Sequence, residues 1–379
     1  MSIAFDNNWS YYLVNTAQNL AVIDSPFYGL CSGQLSLTVK SLKRGEPKLE
    51  VIDALNATQK ISSIEVFSHS LKEGCKCEVG LELFDLAPAI SIFDLCLVDE
   101  HNGNVKIASL VLLPITQDIH PVTFIVGSPR SGTSAVGKLV QLAYDINSHG
   151  EAHVAQAFQG LIEQANAFFN HSSAASAKGT LLREVPALYV EAQLVLNLRE
   201  LYQRFYRDQA IIDKTPGIKM LECLSLLFKV FPHAKVIYCQ RRGIENIASR
   251  MRKFEKVSFE GHCRQWKRSI TIWQEMKTIV DRDLGHSEWC MPIEQFELAK
   301  RPEKVIKELL VFLDIPLNKQ QKLNRYIKTS SPQKTSEGPE QAHSLQSIKW
   351  TQEQKALFLL HCEDLMQSNG YSLDESYYL

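Results

Sequence analysis

Apolar positions change their spacing about a third of the way along the chain. Up to residue 118 they come as short runs at 34–39, 49–52, 61–67, 77–84, 90–98 and 105–113, separated by turn-forming residues. Runs of that length, rich in Val, Ile, Leu and Phe, predict β-strands. The break His101-Asn102-Gly103-Asn104 predicts a hairpin turn, because Asn-Gly tolerates positive φ. Lys43-Arg44-Gly45-Glu46-Pro47 predicts another turn. Several short strands at this spacing predict a small all-β, sandwich-like domain over residues 1–118.

From residue 121 onward strands alternate with helices. Thr123 to Val126 form a short apolar run closed by Gly127, and Val136, Leu139, Val140 and Ala143 then recur at i, i+3, i+4 and i+7. That spacing predicts a helix over 134–144. Further strands are predicted at 211–213, 236–239 and 291–293, with helical stretches such as 186–206 and 217–231 between them. The alternation predicts an α/β domain over 119–379, a mainly parallel sheet flanked by helices. Residues 116–121 read as the linker, and 329–346 as a polar loop.

Composition narrows the class. A chain of 379 residues with 45% hydrophobic and 22% charged residues suits about two soluble domains. The formal net charge of −1 gives no global field for nucleic acid or anionic membranes, so any anion site must be local. No apolar run is long enough to span a membrane, and the first residues lack the basic start and apolar stretch of a secretory leader. The nine scattered cysteines read as free thiols, which makes the cytoplasm the expected compartment. Cys75 and Cys77 form a C-x-C pair with no second pair, so no metal site is expected.

The strand-to-helix junction carries the candidate chemistry. It reads Gly127-Ser128-Pro129-Arg130-Ser131-Gly132-Thr133-Ser134. Glycines permit a tight turn whose N–H groups face one centre, and a helix N-terminus adds partial positive charge. Arg130 adds a fixed cation, and Ser131, Thr133 and Ser134 add hydroxyls. Gly127 and Gly132 have the spacing of a nucleotide P-loop, but Thr133 stands where that motif has its lysine. The plain alternative is a strand–turn–helix connection with incidental Gly and Ser.

At this point the residues resemble the sulfotransferase family. Pro129-Arg130-Ser131-Gly132-Thr133 is similar to the 5′-phosphosulfate loop of the branch that includes tyrosylprotein and many bacterial enzymes. Arg241 and Ser249, eight residues apart across a strand end and helix start, resemble the family's 3′-phosphate pair. Many members have Asp where Arg242 stands, so Arg241 and Arg242 are rivals for that phosphate. The bland reading of this stretch is a solvated basic helix, since Arg250, Arg252, Lys253 and Lys256 follow. Lys214-Thr215-Pro216 resembles the segment near the transferred group, and Glu294-Gln295-Phe296 resembles a stretch that is usually structural. The similarity covers roughly 121–375.

The resemblance implies 3′-phosphoadenosine 5′-phosphosulfate (PAPS) as sulfonate donor, 3′-phosphoadenosine 5′-phosphate (PAP) as product, and no obligatory metal. The implied donor site is Arg130, Ser131, Gly132, Thr133, Ser134, Arg241 and Ser249, with Arg130 and Lys214 stabilising charge. The acceptor would be a hydroxyl, less readily an amine, on a carbohydrate, carrier-bound or small molecule. An acceptor hydroxyl needs a base. Glu151, in a Gly-Glu segment at the family's distance from the loop, is the first candidate; His153, His149 and Glu184 are rivals. Two other functions stay open: an ATP-dependent P-loop phosphotransferase, and a non-catalytic module binding a nucleotide or glycan. Trp9, Tyr11, Tyr12, Phe27 and Tyr28 could stack on sugar rings, or serve as core and interface. Residues 119–379 are expected to bind PAP without residues 1–118.

Overall fold

The computed structural model describes residues 8–16, 21–41, 48–55, 76–83, 86–99, 103–147, 149–175, 179–207, 209–330 and 343–378. Eight antiparallel strands come first: β1 (Asn8–Asn15), β2 (Ala21–Ile23), β3 (Tyr28–Ser32), β4 (Gln34–Ser41), β5 (Lys48–Asp53), β6 (Lys76–Glu82), β7 (Ser91–Asp99) and β8 (Gly103–Pro114). Their order is β2-β4-β3-β1-β8-β7-β5, with β6 also on β4. The sheet curls so that Leu37 of β4, Leu81 of β6, Leu95 of β7 and Leu110 of β8 share one core. This is the sandwich-like arrangement that the short runs predict. The run at 61–67 and the turn at 43–47 lie outside the described residues. β7 and β8 form a hairpin with Asp99 opposite Gly103, and its tip at 100–102 is likewise outside.

Sequence periodicity misses β1, β2 and β3, and β1 is central to the sheet. Its Trp9, Tyr11 and Leu13 enter the sandwich core, while Tyr12 and Val14 join a second core on the opposite face. A strand covered on both faces shows no apolar–polar alternation. The N-terminal aromatics Trp9, Tyr11, Tyr12 and Tyr28 are therefore buried packing residues, not a sugar platform.

The second sheet is wholly parallel. It contains β9 (Val122–Gly127), β10 (Ile211–Lys214), β11 (Lys235–Gln240) and β12 (Cys290–Glu294) in the order β10-β9-β11-β12. Its helices are α1 (Thr133–Tyr144), α2 (Val154–Ala175), α3 (Leu181–Glu184), α4 (Ala187–Tyr206), α5 (Ile218–Glu222), α6 (Leu224–Val230), α7 (Gly243–Lys253), α8 (Phe259–Leu284), α9 (Gln295–Lys300), α10 (Pro302–Phe312), α11 (Gln320–Ser330) and α12 (Gln352–Ser368). The helix predicted over 217–231 is two, α5 and α6. The bend at Cys223 (φ −84°, ψ −2°) lets both halves lay Met220, Leu221, Leu224 and Phe228 on one core.

Side chains on β9 alternate between two cores. Phe124 and Val126 meet α4 and α6, while Ile125 meets α1, α10 and α11. The first of these cores continues into the antiparallel sheet, where Tyr12, Tyr28, Ile92 and Val111 pack on the α4–α6 layer. Tyr28 stacks on Phe228 with centroids 6.2 Å apart. Residues 119–379 on their own would therefore expose part of a core that runs across residue 118.

Arg199 of α4 straps the two regions together. Its buried guanidinium donates to the Val230 carbonyl (2.9 Å), the Pro114 carbonyl (3.3 Å) and Ser10 Oγ (2.5 Å). Burial alone pulls its pKa down to about 10. Arg199→Leu is expected to lower stability by about 1–3 kcal/mol, because two buried carbonyls lose their donor while the cost of burying a cation is relieved. Urea unfolding measures this; a wild-type midpoint would show that the strap adds nothing.

Candidate active site

Site residues gather at the carboxyl ends of the parallel strands, where open α/β sheets bind ligands. β9 ends at Gly127 with φ +139°, and a Cβ there would sit 2.1 Å from the Cys239 carbonyl oxygen of β11. Arg130 (φ +75°) and Gly132 (φ +87°) are also left-handed, which folds the loop tightly enough for the Ser131 N–H to reach the Ser128 carbonyl at 3.2 Å. α1 then opens with no side-chain cap on its N-terminus. Helix-terminal N–H groups of this kind attract anions. Ser131 and Thr133 are buried beneath the loop, while Arg130 and Ser134 are exposed.

α7 holds this loop from the side. Buried Asn246 donates to Ser131 Oγ (3.0 Å) and to the Pro129 carbonyl (3.1 Å). Arg130 Nε donates to Ser249 Oγ at 3.1 Å, and Arg241 Nη1 donates to the Arg130 carbonyl at 3.2 Å. Arg130, Arg241 and Ser249 thus meet although they come from three different elements. Trp266 of α8 pins the Arg241 carbonyl through its indole N–H (3.1 Å). Gly243 allows that close approach, since a Cβ would lie 3.2 Å from Trp266 and Met366.

The structure separates the two rival arginines. Arg242 is fully buried and points away from the loop. It pairs with Glu245 (2.8 Å) and donates to the carbonyls of Ser372 (3.2 Å), Asp374 (2.6 Å) and His343. It thereby fastens the C-terminal segment to α7. Arg241, not Arg242, faces the loop.

On the other side stands a carboxylate held between a lysine and a histidine. Lys214 Nζ, at the end of β10, donates to Glu151 Oε1 at 2.8 Å. The His153 ring nitrogen Nε2 lies 3.0 Å from Glu151 Oε2. Burial would raise the Glu151 carboxyl, but hydrogen bonds and charge from Lys214, then His153, outweigh it and hold the group below its ordinary value. Gly137 of α1 leaves room for the Lys214 stem, because a Cβ there would lie 3.1 Å from the Lys214 Cγ. His149 is turned elsewhere: its Nε2 is 3.0 Å from the Phe205 carbonyl and its ring packs edge-on against Tyr206. Glu184 lies exposed at the end of α3, and no contact brings it to Lys214 or Glu151 among the described residues.

Glu294 ends β12 with its carboxyl buried. Burial pushes it up to about 8, although the Tyr371 hydroxyl, which donates to Oε2 at 2.7 Å, and the charge of Arg241 act in the opposite sense. It ties β12 to the residues after α12. Asn246, Gly137 and Trp266 are parts of the site that sequence reasoning passes over. Among the described residues no helix is long and apolar enough to cross a membrane.

A family model described as "Sulfotransferase family" matches residues 121–319. By sequence the chain is similar to protein-tyrosine sulfotransferase 1 of Danio rerio, 26% identical over 204 residues, covering 52% of this chain and 54% of the relative. It is also similar to the protein-tyrosine sulfotransferase of Drosophila melanogaster, 26% identical over 207 residues, covering 52% of this chain and 39% of that one. The match therefore spans about half, or less, of each curated relative. Two solved structures are similar: a sulfotransferase domain from the Synechococcus PCC 7002 olefin synthase (18% identity, 67% of this chain, 96% of that chain, TM-score 0.43) and one from the curacin biosynthetic pathway (16%, 67%, 99%, 0.41).

Proposed function

The chain belongs to the sulfotransferase family, and we propose that it transfers a sulfonate group from PAPS to a hydroxyl of an acceptor molecule. One observation carries this reading. The Glu151–Lys214 pair and the Arg130–Ser249–Arg241 cluster flank the same uncapped helix start. An anionic donor would find there two guanidinium groups, hydroxyls and helix-terminal N–H groups, a set suited to phosphate oxygens.

When bound, PAPS supplies an activated sulfonate on a phosphate leaving group. In this reading the loop and Arg130 hold its 5′ end, and Arg241 with Ser249 holds its 3′-phosphate. Lys214 stabilises negative charge that grows on the leaving group, the kind of preorganised electrostatic contribution that dominates such transfers. Glu151 takes the proton of the acceptor hydroxyl. As Lys214 turns toward the leaving group, Glu151 loses part of the attraction that lowers its pKa and becomes a stronger base. Residues 1–118 buttress α4 and α6 through the core that they share. We place the protein in the cytoplasm, where its seven described cysteines, all free, would stay reduced.

A calorimetric titration tests the donor site, with PAP as ligand and ATP plus magnesium as comparison. Tight binding of PAP and weak binding of ATP is the expected result; the reverse would sink the reading. Arg241→Ala is expected to weaken PAP binding by about 1.5–3 kcal/mol, roughly 10–150-fold, by removing a charge-assisted contact. Unchanged PAP affinity in that variant would reject Arg241 as a phosphate ligand. Arg242→Ala should instead lower thermal stability.

A further inference from the structure

The segment that carries Glu151 has no helix or strand of its own to hold it. Residues 151–153 cross the end of β10 as irregular chain before α2 begins, and His153 is left-handed there at φ +58°. A non-glycine residue in that region is strained and needs surrounding structure to keep it. Beneath it lies a buried polar chain. Tyr202 of α4 donates its hydroxyl to Asp213 Oδ2 at 2.6 Å. Thr215 donates its hydroxyl to Asp213 Oδ1 at 2.6 Å. The Thr215 oxygen then accepts from the backbone N–H groups of Ala152 (3.2 Å) and His153 (3.5 Å), and Asp213 Oδ1 accepts from Ala152 as well (3.4 Å).

The direction of these bonds matters. Tyr202, Asp213 and Thr215 are each at most 1% exposed. Asp213 fixes the Thr215 hydroxyl hydrogen, so the oxygen lone pairs face the two N–H groups above. Lys214 lies between Asp213 and Thr215 in sequence, and its side chain reaches Glu151 directly. One short stretch of β10 and its continuation therefore holds both the backbone and the carboxylate of the 151–153 segment.

We propose that Asp213 and Thr215, backed by Tyr202, are positioning residues that clamp the 151–153 segment and so keep the Glu151 carboxylate on Lys214. The consequence for catalysis rests on the reading of Glu151 as base; the clamp itself does not. Buried networks of this kind orient the groups that meet substrate, and small misplacements there cost much of the rate.

Nuclear magnetic resonance of isotope-labelled glutamate carboxyls tests the clamp, with the Glu151 signal assigned by its loss in Glu151→Gln. In the wild type this carboxyl should titrate below the ordinary glutamate value. In Thr215→Val and Asp213→Asn its titration should move up toward that value, and Thr215→Ser should restore the wild-type curve. A Glu151 titration unmoved in folded Thr215→Val overturns the clamp. Should Asp213→Asn fail to fold, Thr215→Val, of nearly the same shape as the native residue, still decides. Turnover, read as PAP release from PAPS with whichever of a panel of hydroxyl-bearing acceptors the wild type uses, separates the two readings. Loss of about 10²-fold in both Glu151→Gln and Thr215→Val supports both. Full turnover in Glu151→Gln with a moved titration in Thr215→Val would remove the base reading and leave the clamp standing.

Discussion

Glu151→Gln is expected to lower turnover by roughly 10²–10⁴-fold, the usual contribution of a general base, and to leave PAP affinity nearly unchanged. The substitution keeps size and shape, and the amide oxygen can still accept from Lys214, whose Nζ lies 2.8 Å from the native carboxylate. What it loses is the capacity to take a proton. The pH dependence has a definite sign. The folded pKa of Glu151 is lowered, so the carboxylate is ionised at neutral pH and its function is lost only as pH falls through that depressed value. Lys214→Met should move this acid limb upward, because it removes the attraction that lowers the pKa, and should reduce the maximal rate as well. Wild-type turnover in Glu151→Gln would pass the role to His153, 3.0 Å away, and His153→Asn would then be the inactive variant.

The α/β half of the fold was legible because its strands are short apolar runs closed by glycine or polar residues. β9, β10, β11 and β12 all fall on predicted strands, and α1 on the predicted apolar stripe. β1 was not legible. Its sequence Trp9-Ser10-Tyr11-Tyr12-Leu13-Val14 feeds two cores at once, so no alternation marks which face is inside. The continuity of the core across residue 118 was hidden for the same reason. Local pattern reports that a face is apolar, not which neighbour covers it.

At the site, the motif residues were legible one by one and their mutual arrangement was not. Pattern alone left Arg241 and Arg242 as rivals, because adjacent residues share the same local sequence. Burial separates them, placing Arg242 on Glu245 and on the carbonyls of His343, Ser372 and Asp374. Asp213 and Thr215 stood beside the noted Lys214, yet their hydrogen bonds run to α4 and to residues 152–153, far away in sequence. Gly137 looked like an ordinary helix residue. Only the 3.1 Å approach of the Lys214 stem explains why a side chain is missing there.

Gly127→Ala is expected to be strongly damaging to both stability and PAP binding. Two costs coincide. At φ +139° an L-residue is strained, and the added Cβ would lie 2.1 Å from the Cys239 carbonyl oxygen, a backbone atom of the paired strand. β9 and β11 cannot part easily, because Phe124 and Ile125 on β9 and Val236 and Ile237 on β11 are each buried in the two cores. The combined penalty is about 2–6 kcal/mol, adding the ranges for backbone strain and for overpacking. The same displacement would shift the loop that follows, so PAP binding should fall further than stability alone requires. Gly160→Ala is the internal comparison, since a Cβ there meets nothing within 4 Å and α2 should gain up to about 1 kcal/mol of helix propensity. Urea unfolding and PAP titration of both variants decide the matter. A Gly127→Ala protein with native stability and native PAP affinity would mean that the strand junction has slack. The loop would then owe its shape to Asn246 and Arg241, which hold it from the side, rather than to the close approach of β9 and β11.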